Sequence, residues 1–270
     1  MSGWKLTLKS QPALRVDLRS LSPAAFADSS AAAVGKHVVH HGNEAVALGD
    51  LFTIAPHTDG ELRLEGDLSR FDRIGWQLAG GTIRIEGTTG DYLGAGMSAG
   101  EVHATGNAGM LAACEMSGGR LEIGGDAGDC AASGLPGSMD GMRGGTLLVR
   151  GSAGQRFGDR MRRGTALVFG DAGDFCASRM VAGTIAVGGR LGAHPGYGMR
   201  RGTLLALGPA PTVPPTFAAT NVNIGVFWQL LARDLARHGG VFATLGPRCA
   251  WRHVGDLAAG GKGELLILSP

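Results

Sequence analysis

Gly81, Gly100, Gly119, Gly145, Gly164, Gly183 and Gly202 each precede a short apolar stretch, and they follow one another at intervals of 19, 19, 26, 19, 19 and 19 residues. A fixed period decides the class of fold ahead of local propensity, because every unit must find a like neighbour. The long interval exceeds the others by 7 residues, and the surplus falls around SGLPGSMDG, a Gly/Pro-rich stretch that reads as a surface loop inserted into one repeat. Gly60 begins a looser earlier copy.

Within each copy the second and fourth residues after the glycine are apolar: Leu62/Leu64, Ile83/Ile85, Val102/Ala104, Leu121/Ile123, Leu147/Val149, Ala166/Val168, Ile185/Val187 and Leu204/Ala206. Period-two alternation marks a short strand with one face inward. Gly66, Gly87, Gly106, Gly125, Gly151, Gly170, Gly189 and Gly208 then close the strands. A unit of 19 residues has no room for a crossover helix and cannot bury its apolar face alone, so it must stack on its neighbours. The pattern predicts an all-β solenoid, a parallel β-helix with coils of about 19 residues. Its period is not a multiple of six, which disfavours the left-handed hexapeptide form and points to the right-handed one. Glycine supplies 48 of 270 residues without a G-X-Y period, as expected of corners that need positive φ and close backbone approach.

Met97, Met116, Met142, Met161, Met180 and Met199 each stand three residues before a repeat glycine. Stacking turns them into a structural core ladder, since an unbranched thioether fills irregular space near a glycine corner. Outward strand positions are charged in early copies (Glu61, Arg63, Glu65, Arg84, Glu86, Glu101, His103, Glu122) and apolar in later ones (Leu148, Leu167, Phe169, Leu205, Leu207). So large an apolar face must be covered. The expected cover is a helix presenting Val226, Phe227, Leu230, Leu231 and Leu235 and stopping at Gly239, or a partner protein. Three regions follow: 1–59, an N-terminal cap with a strand at Trp4–Leu8, a helix start at Ser22-Pro23 and more strand around Glu44–Ile54; 60–208, the β-helix; 209–270, a linker, an amphipathic helix and a final strand in GELLILS.

Catalytic and metal signatures are missing. Cys114, Cys130, Cys176 and Cys249 lack CxxC spacing and read as reduced, small core residues of a cytoplasmic protein; there is no apolar signal core and no membrane span. A net charge of +2 gives no footprint for nucleic acid. Asp91, Asp129 and Asp174 share one offset in alternate copies, and Asp126 and Asp171 follow closing glycines, where Asp is a frequent turn residue. His37, His40 and His41 cluster without an acid or fourth ligand spaced to complete a metal site. Arginine forms the one suggestive group: Arg143, Arg162, Arg163, Arg200 and Arg201 flank the repeat glycines, with Arg156, Arg160, Arg179 and Arg190 nearby, and stacking gathers them into a basic edge suited to a polyanion or an acidic partner surface.

The Gly…Asp/Asn/Ser-Ala-Gly…Met-x-x-Gly copies, together with HVGDLAAGGKGELLIL, resemble the C-type subunit of formylmethanofuran dehydrogenase, and more narrowly its homologue in the bacterial formyltransferase/hydrolase complex. The repeat is also similar to the C-terminal GXGXG domain of glutamate synthase. The resemblance implies a right-handed β-helix serving as a non-catalytic scaffold beside the A-, B- and D-type subunits. It places zinc and hydrolysis on the A type, formyl transfer on the D type, and a molybdenum- or tungsten-subunit homologue in the B type. It also implies a methanofuran-type carrier whose glutamate tail could meet the arginine edge. No catalytic residue carries over, and this chain is expected to bind no cofactor firmly. A component of a true dehydrogenase, a glutamate synthase-like domain and a carbohydrate-active β-helix remain alternatives.

Overall fold

The computed structural model describes residues 3–220 and 224–268, so residues 221–223 of the helix-bearing stretch and Ser269 of the terminal string lie outside it. The N-terminal stretch holds β1 (Gly3–Leu8), β2 (Val16–Asp17), α1 (Pro23–Phe26), α2 (Ala31–Gly35), β3 (Val38–His41), β4 (Glu44–Ala47), α3 (Leu48–Leu51) and β5 (Phe52–His57). The repeats supply β6 (Leu62–Glu65), β7 (Phe71–Asp72), β8 (Ala79–Glu86), β9 (Ala99–Ala104), β10 (Arg120–Ile123), β11 (Arg143–Val149), β12 (Arg163–Val168), β13 (Thr184–Val187) and β14 (Thr203–Ala206). Last come β15 (Ala218–Ala219), α4 (Gly225–Ala236), β16 (Ala250–Gly255) and β17 (Gly263–Leu268).

One sheet of 13 strands collects the repeat in sequence order, β5-β1-β6-β8-β9-β10-β11-β12-β13-β14-β17-β16-β15. Its pairings from β1 through β17 are parallel; only β5, β16 and β15 join antiparallel. The chain is thus mostly β, and its main sheet is mainly parallel, an arrangement consistent with a β-helix-like fold. The register stacks Leu62, Ile83, Val102, Leu121, Leu147, Ala166, Ile185, Leu204 and Leu265 in one inward column, all within the main core. A second ladder of bridges runs through Ala108, Ala127, Ala153, Ala172 and Leu191. Where the chain turns, Tyr92, Leu111, Cys130, Arg156 and Phe175 all have positive φ, and each N–H donates to a carbonyl of the following repeat at 2.8–2.9 Å. Corners therefore do not belong to glycine alone: inter-repeat hydrogen bonds hold bulky residues in the left-handed region.

All six ladder methionines are fully buried. The Asp set caps backbone: Asp91, Asp129 and Asp174 accept the N–H of Met110, Gln155 and Ala193, one repeat further on, at 2.9, 2.8 and 2.7 Å. Asp126 and Asp171 do the same for Ser152 and Arg190.

Three expectations need correction. The strand expected around Glu44–Ile54 is broken by α3, where the Asp50 carboxylate accepts the Ala47 N–H at 3.3 Å and closes a helical turn. Helix α4 covers the late outer face, in a second core with Leu148, Leu167, Ala186, Leu205 and Leu266, but it does so through Trp228, Ala232 and Leu235, with Leu231 partly buried. Val226, Phe227 and Leu230 are exposed, because the Trp228 ring, anchored by its Nε1–H on the Arg248 carbonyl at 2.6 Å, takes the sheet side. Of the four cysteines only Cys114 and Cys176 are buried; Cys130 is half-buried and Cys249 exposed, carried outside the core just before β16.

Candidate functional site: an arginine-lined trench

Each arginine of the predicted edge follows a buried methionine, and the methionine fixes where it stands. The N–H groups of Arg143, Arg162, Val181 and Arg200 donate to the carbonyls of Met116, Met142, Met161 and Met180 at 2.7–2.8 Å, one repeat back in each case. These four residues therefore form one row, with Gly144, Arg163, Ala182 and Arg201 beside it. The repeat between the two Arg-Arg pairs carries Val181 and Ala182, an apolar floor. Neighbouring repeats are one strand spacing apart, so the two pairs stand about 10 Å from one another along the sheet.

The result is an open concavity of about 510 Å³ lined by Arg143, Arg162, Arg163, Val181, Ala182 and Arg201. A second, of about 340 Å³, adjoins it through Arg162 and Val181 and adds Arg160, Arg179, Arg200 and Met139. All five predicted arginines thus line one continuous trench. Of the four named as nearby, Arg160 and Arg179 join it, whereas Arg156 stacks over the Phe175 ring at 5.4 Å and Arg190 lines neither lobe.

Counter-charges are few. Arg162 Nε lies 2.5 Å from Asp140, Arg143 is 4.0 Å from Glu115, and Arg179 grips the buried Asp159 with two bonds of 2.9 and 2.6 Å. Arg160 donates to the Ser138 carbonyl, while its buried Nε finds no hydrogen-bond partner. Seven guanidiniums thus face three carboxylates, an excess of four positive charges. The side chains of Arg163, Arg200 and Arg201 are exposed and make no ion pair or hydrogen bond among the described residues. Planar guanidiniums in this state are ready for bidentate bonds to carboxylates.

At the N-terminal concavity the charges are paired off. The concavity of about 730 Å³ beside Arg15, Asp17, Arg19, His40, Asp72 and Arg73 is larger, but Arg15 pairs with Asp72 and Asp91, and Arg19 and Arg73 both pair with Asp17. The three clustered histidines separate: His37 meets Ser20 Oγ at 2.8 Å, His41 Nε2 accepts the Leu14 N–H at 3.0 Å, and His40 lies between them on β3. Among the described residues no group of three His, Cys, Asp or Glu could hold a metal ion, and no helix is long and apolar enough to cross a membrane. Besides Glu115 and Asp159, sequence reasoning missed the contribution of the inserted loop. Its only signal was the aspartate of SMDG, placed two residues before the first Met-Arg corner.

Superposition on solved structures gives a match along almost the entire chain. A chain of the formyltransferase/hydrolase complex from Methylorubrum extorquens, whose crystal structure holds methylofuran, is 42% identical with a TM-score of 0.91, over 98% of this chain and 100% of that one. The chain belongs to the family of C-type subunits of formyltransferase/hydrolase complexes. Among curated members of this family and its dehydrogenase kin, the C-type subunit of the Methylorubrum extorquens complex is 45% identical over 79 residues, 29% of this chain and 30% of that protein. The C-type subunit of a tungsten-containing formylmethanofuran dehydrogenase of Methanothermobacter wolfeii is 36% identical over 102 residues, 36% of this chain and 37% of that protein. In sequence, then, the chain spans about a third of the length of the curated relatives that it matches. No family model matches it.

Proposed function

We propose that this chain is a non-catalytic scaffold subunit of a multi-subunit formyltransferase/hydrolase complex. In that complex a formyl group passes from a tetrahydromethanopterin-type to a methanofuran-type carrier and leaves as formate. The end-to-end match to a chain of such a complex carries the proposal. On this reading residues 60–208 wind into a right-handed β-helix of about 19 residues per coil, flanked by an N-terminal cap and a C-terminal helix and strand, and the A-, B- and D-type subunits are its partners. The scaffold role is supported by carboxylates spent on backbone N–H groups. The arginine trench is the contact for carboxylates, either of the carrier or of an acidic partner surface.

Affinity purification of the tagged chain from its native host, with mass spectrometry of every component and a formate-release assay on the eluate, tests this directly. Co-elution with homologues of the A, B and D types and formate release from formyl-carrier is expected. A redox-active tungsten or molybdenum eluate would assign the chain to a dehydrogenase instead, the alternative that its matches to dehydrogenase components favour. Elution alone would overturn both.

A further inference from the structure

The seven surplus residues in the Gly119–Gly145 interval fold back onto the arginine trench, and what they present to it has the chemistry of a ligand. The loop closes on itself through the Ser138 N–H to the Leu135 carbonyl at 2.8 Å and the Asp140 N–H to Ser138 Oγ at 3.2 Å. So shaped, it offers the Ser138 carbonyl to Arg160 and the Asp140 carboxylate to Arg162 at 2.5 Å. Arg162 is the arginine common to both lobes of the trench.

Of the three acids in the trench, Glu115 stands 4.0 Å from Arg143, and the two in closer contact differ in kind. Asp159 is 8% exposed and held by two bonds from Arg179 and one of 2.6 Å from Ser178 Oγ, a fixed part of the wall. The Asp140–Arg162 pair is open on both sides, with side chains 38% and 43% exposed, so water can take either partner, and another anion can take Arg162, at small cost. Beside it Arg163, Arg200 and Arg201 stand unpaired among the described residues.

We propose that Asp140 is a displaceable internal anion: an extended polycarboxylate entering the trench takes Arg162 from Asp140 and engages Arg163, Arg200 and Arg201 with its other acids. The insertion thereby sets the affinity of the site. This rests on the trench being a carboxylate seat. Two arginine pairs about 10 Å apart across an apolar floor suit an extended chain better than a compact anion: in the polyproline II conformation, with three residues per turn and a rise of about 3.1 Å each, acids three residues apart share one side at about that distance.

The test is fluorescence anisotropy of a labelled hexa-aspartate peptide titrated with the full chain at low salt. Wild type should bind, and Arg163→Ala with Arg201→Ala should weaken binding by more than about tenfold. Asp140→Asn should tighten it by about two- to fivefold, the range an exposed ion pair spans. Asp140→Glu should restore the wild-type value, and Asp28→Asn, which removes an equal charge from the N-terminal region, should change nothing. Citrate at a matched carboxylate concentration should compete poorly; equal competition would overturn the preference for an extended chain. If the arginine variant binds like wild type, the trench is no carboxylate seat and the reading beneath the proposal fails. If it loses binding while Asp140→Asn matches wild type, or Asp28→Asn tightens binding as much, displacement alone is overturned.

Discussion

At Gly145 a methyl group has no room: a Cβ there would lie 2.7 Å from Met116 Cε and 2.8 Å from the Gly119 carbonyl oxygen, and φ is +81°. Methionine and glycine are thus recorded together in the sequence because the thioether of one repeat fills the space that the glycine of the next leaves open. Gly145→Ala should cost about 2–4 kcal/mol, from the left-handed φ and the overpacking combined. Met116→Ala should cost about 2–5 kcal/mol, and the double variant clearly less than the sum, in urea unfolding. Simple additivity would mean the two do not touch. Burial pushes the Cys114 and Cys176 thiols up to about 12, so at pH 8 both should resist alkylation until the protein unfolds, while exposed Cys249 labels in the native state; mass mapping of the modified peptides checks this. The methionines were legible because they keep one offset. The left-handed conformation of Tyr92, Leu111, Arg156 and Phe175 was not, since such residues favour negative φ on their own and only the hydrogen bonds of the next repeat hold them otherwise.

The outer column of the main sheet runs Arg63, Arg84, His103, Glu122, then Leu148, Leu167, Ala186, Leu205 and Leu266, so its character changes between β10 and β11. Arg150 joins the two halves: its Nε donates to Glu122 at 2.7 Å, its Nη1 to the His238 carbonyl beyond α4 at 3.0 Å, and its plane lies over Phe169. Burial alone would raise the Glu122 carboxyl, yet the bonds from Arg150 and Arg120 hold it below the usual range. A depressed folded pKa stabilises above the unfolded value and stops doing so as pH falls through the folded one. The stability advantage of wild type over Glu122→Gln should therefore be level above about pH 5 and vanish on further acidification, in denaturant titrations across pH. The helix itself was legible, but its buried side was not. Apolar residues surround α4, and only the sheet beneath it selects Trp228 and Leu235 over Phe227 and Leu230. Trp228→Ala should accordingly cost about 3 kcal/mol or more, whereas Leu230→Ser should stay within about 0.5 kcal/mol in thermal unfolding of the isolated chain.

Across the whole molecule, the spacing of the repeat glycines predicted the strand order, and the five arginines of one edge were legible because equal offsets become neighbours under stacking. Where the insertion would fold was not, since spacing fixes only the positions that obey the period. Deleting residues 134–140 shortens the long interval from 26 to 19, leaves Met142 in its place and keeps every strand register. That variant should fold with a melting temperature within a few degrees of wild type, because exposed loop tips carry little packing; collapse of its circular dichroism signal would show that the loop supports the sheet.

Hydrogen bonding, and not side-chain bulk, sets the step from one strand to the next, and that makes this surface a ruler. Separations along it come in whole multiples of about 4.8 Å. A docked chain must fit an integer number of graduations, and exchanging an MRRG corner for its MVAG neighbour would slide the positive charge by one mark without disturbing the interior.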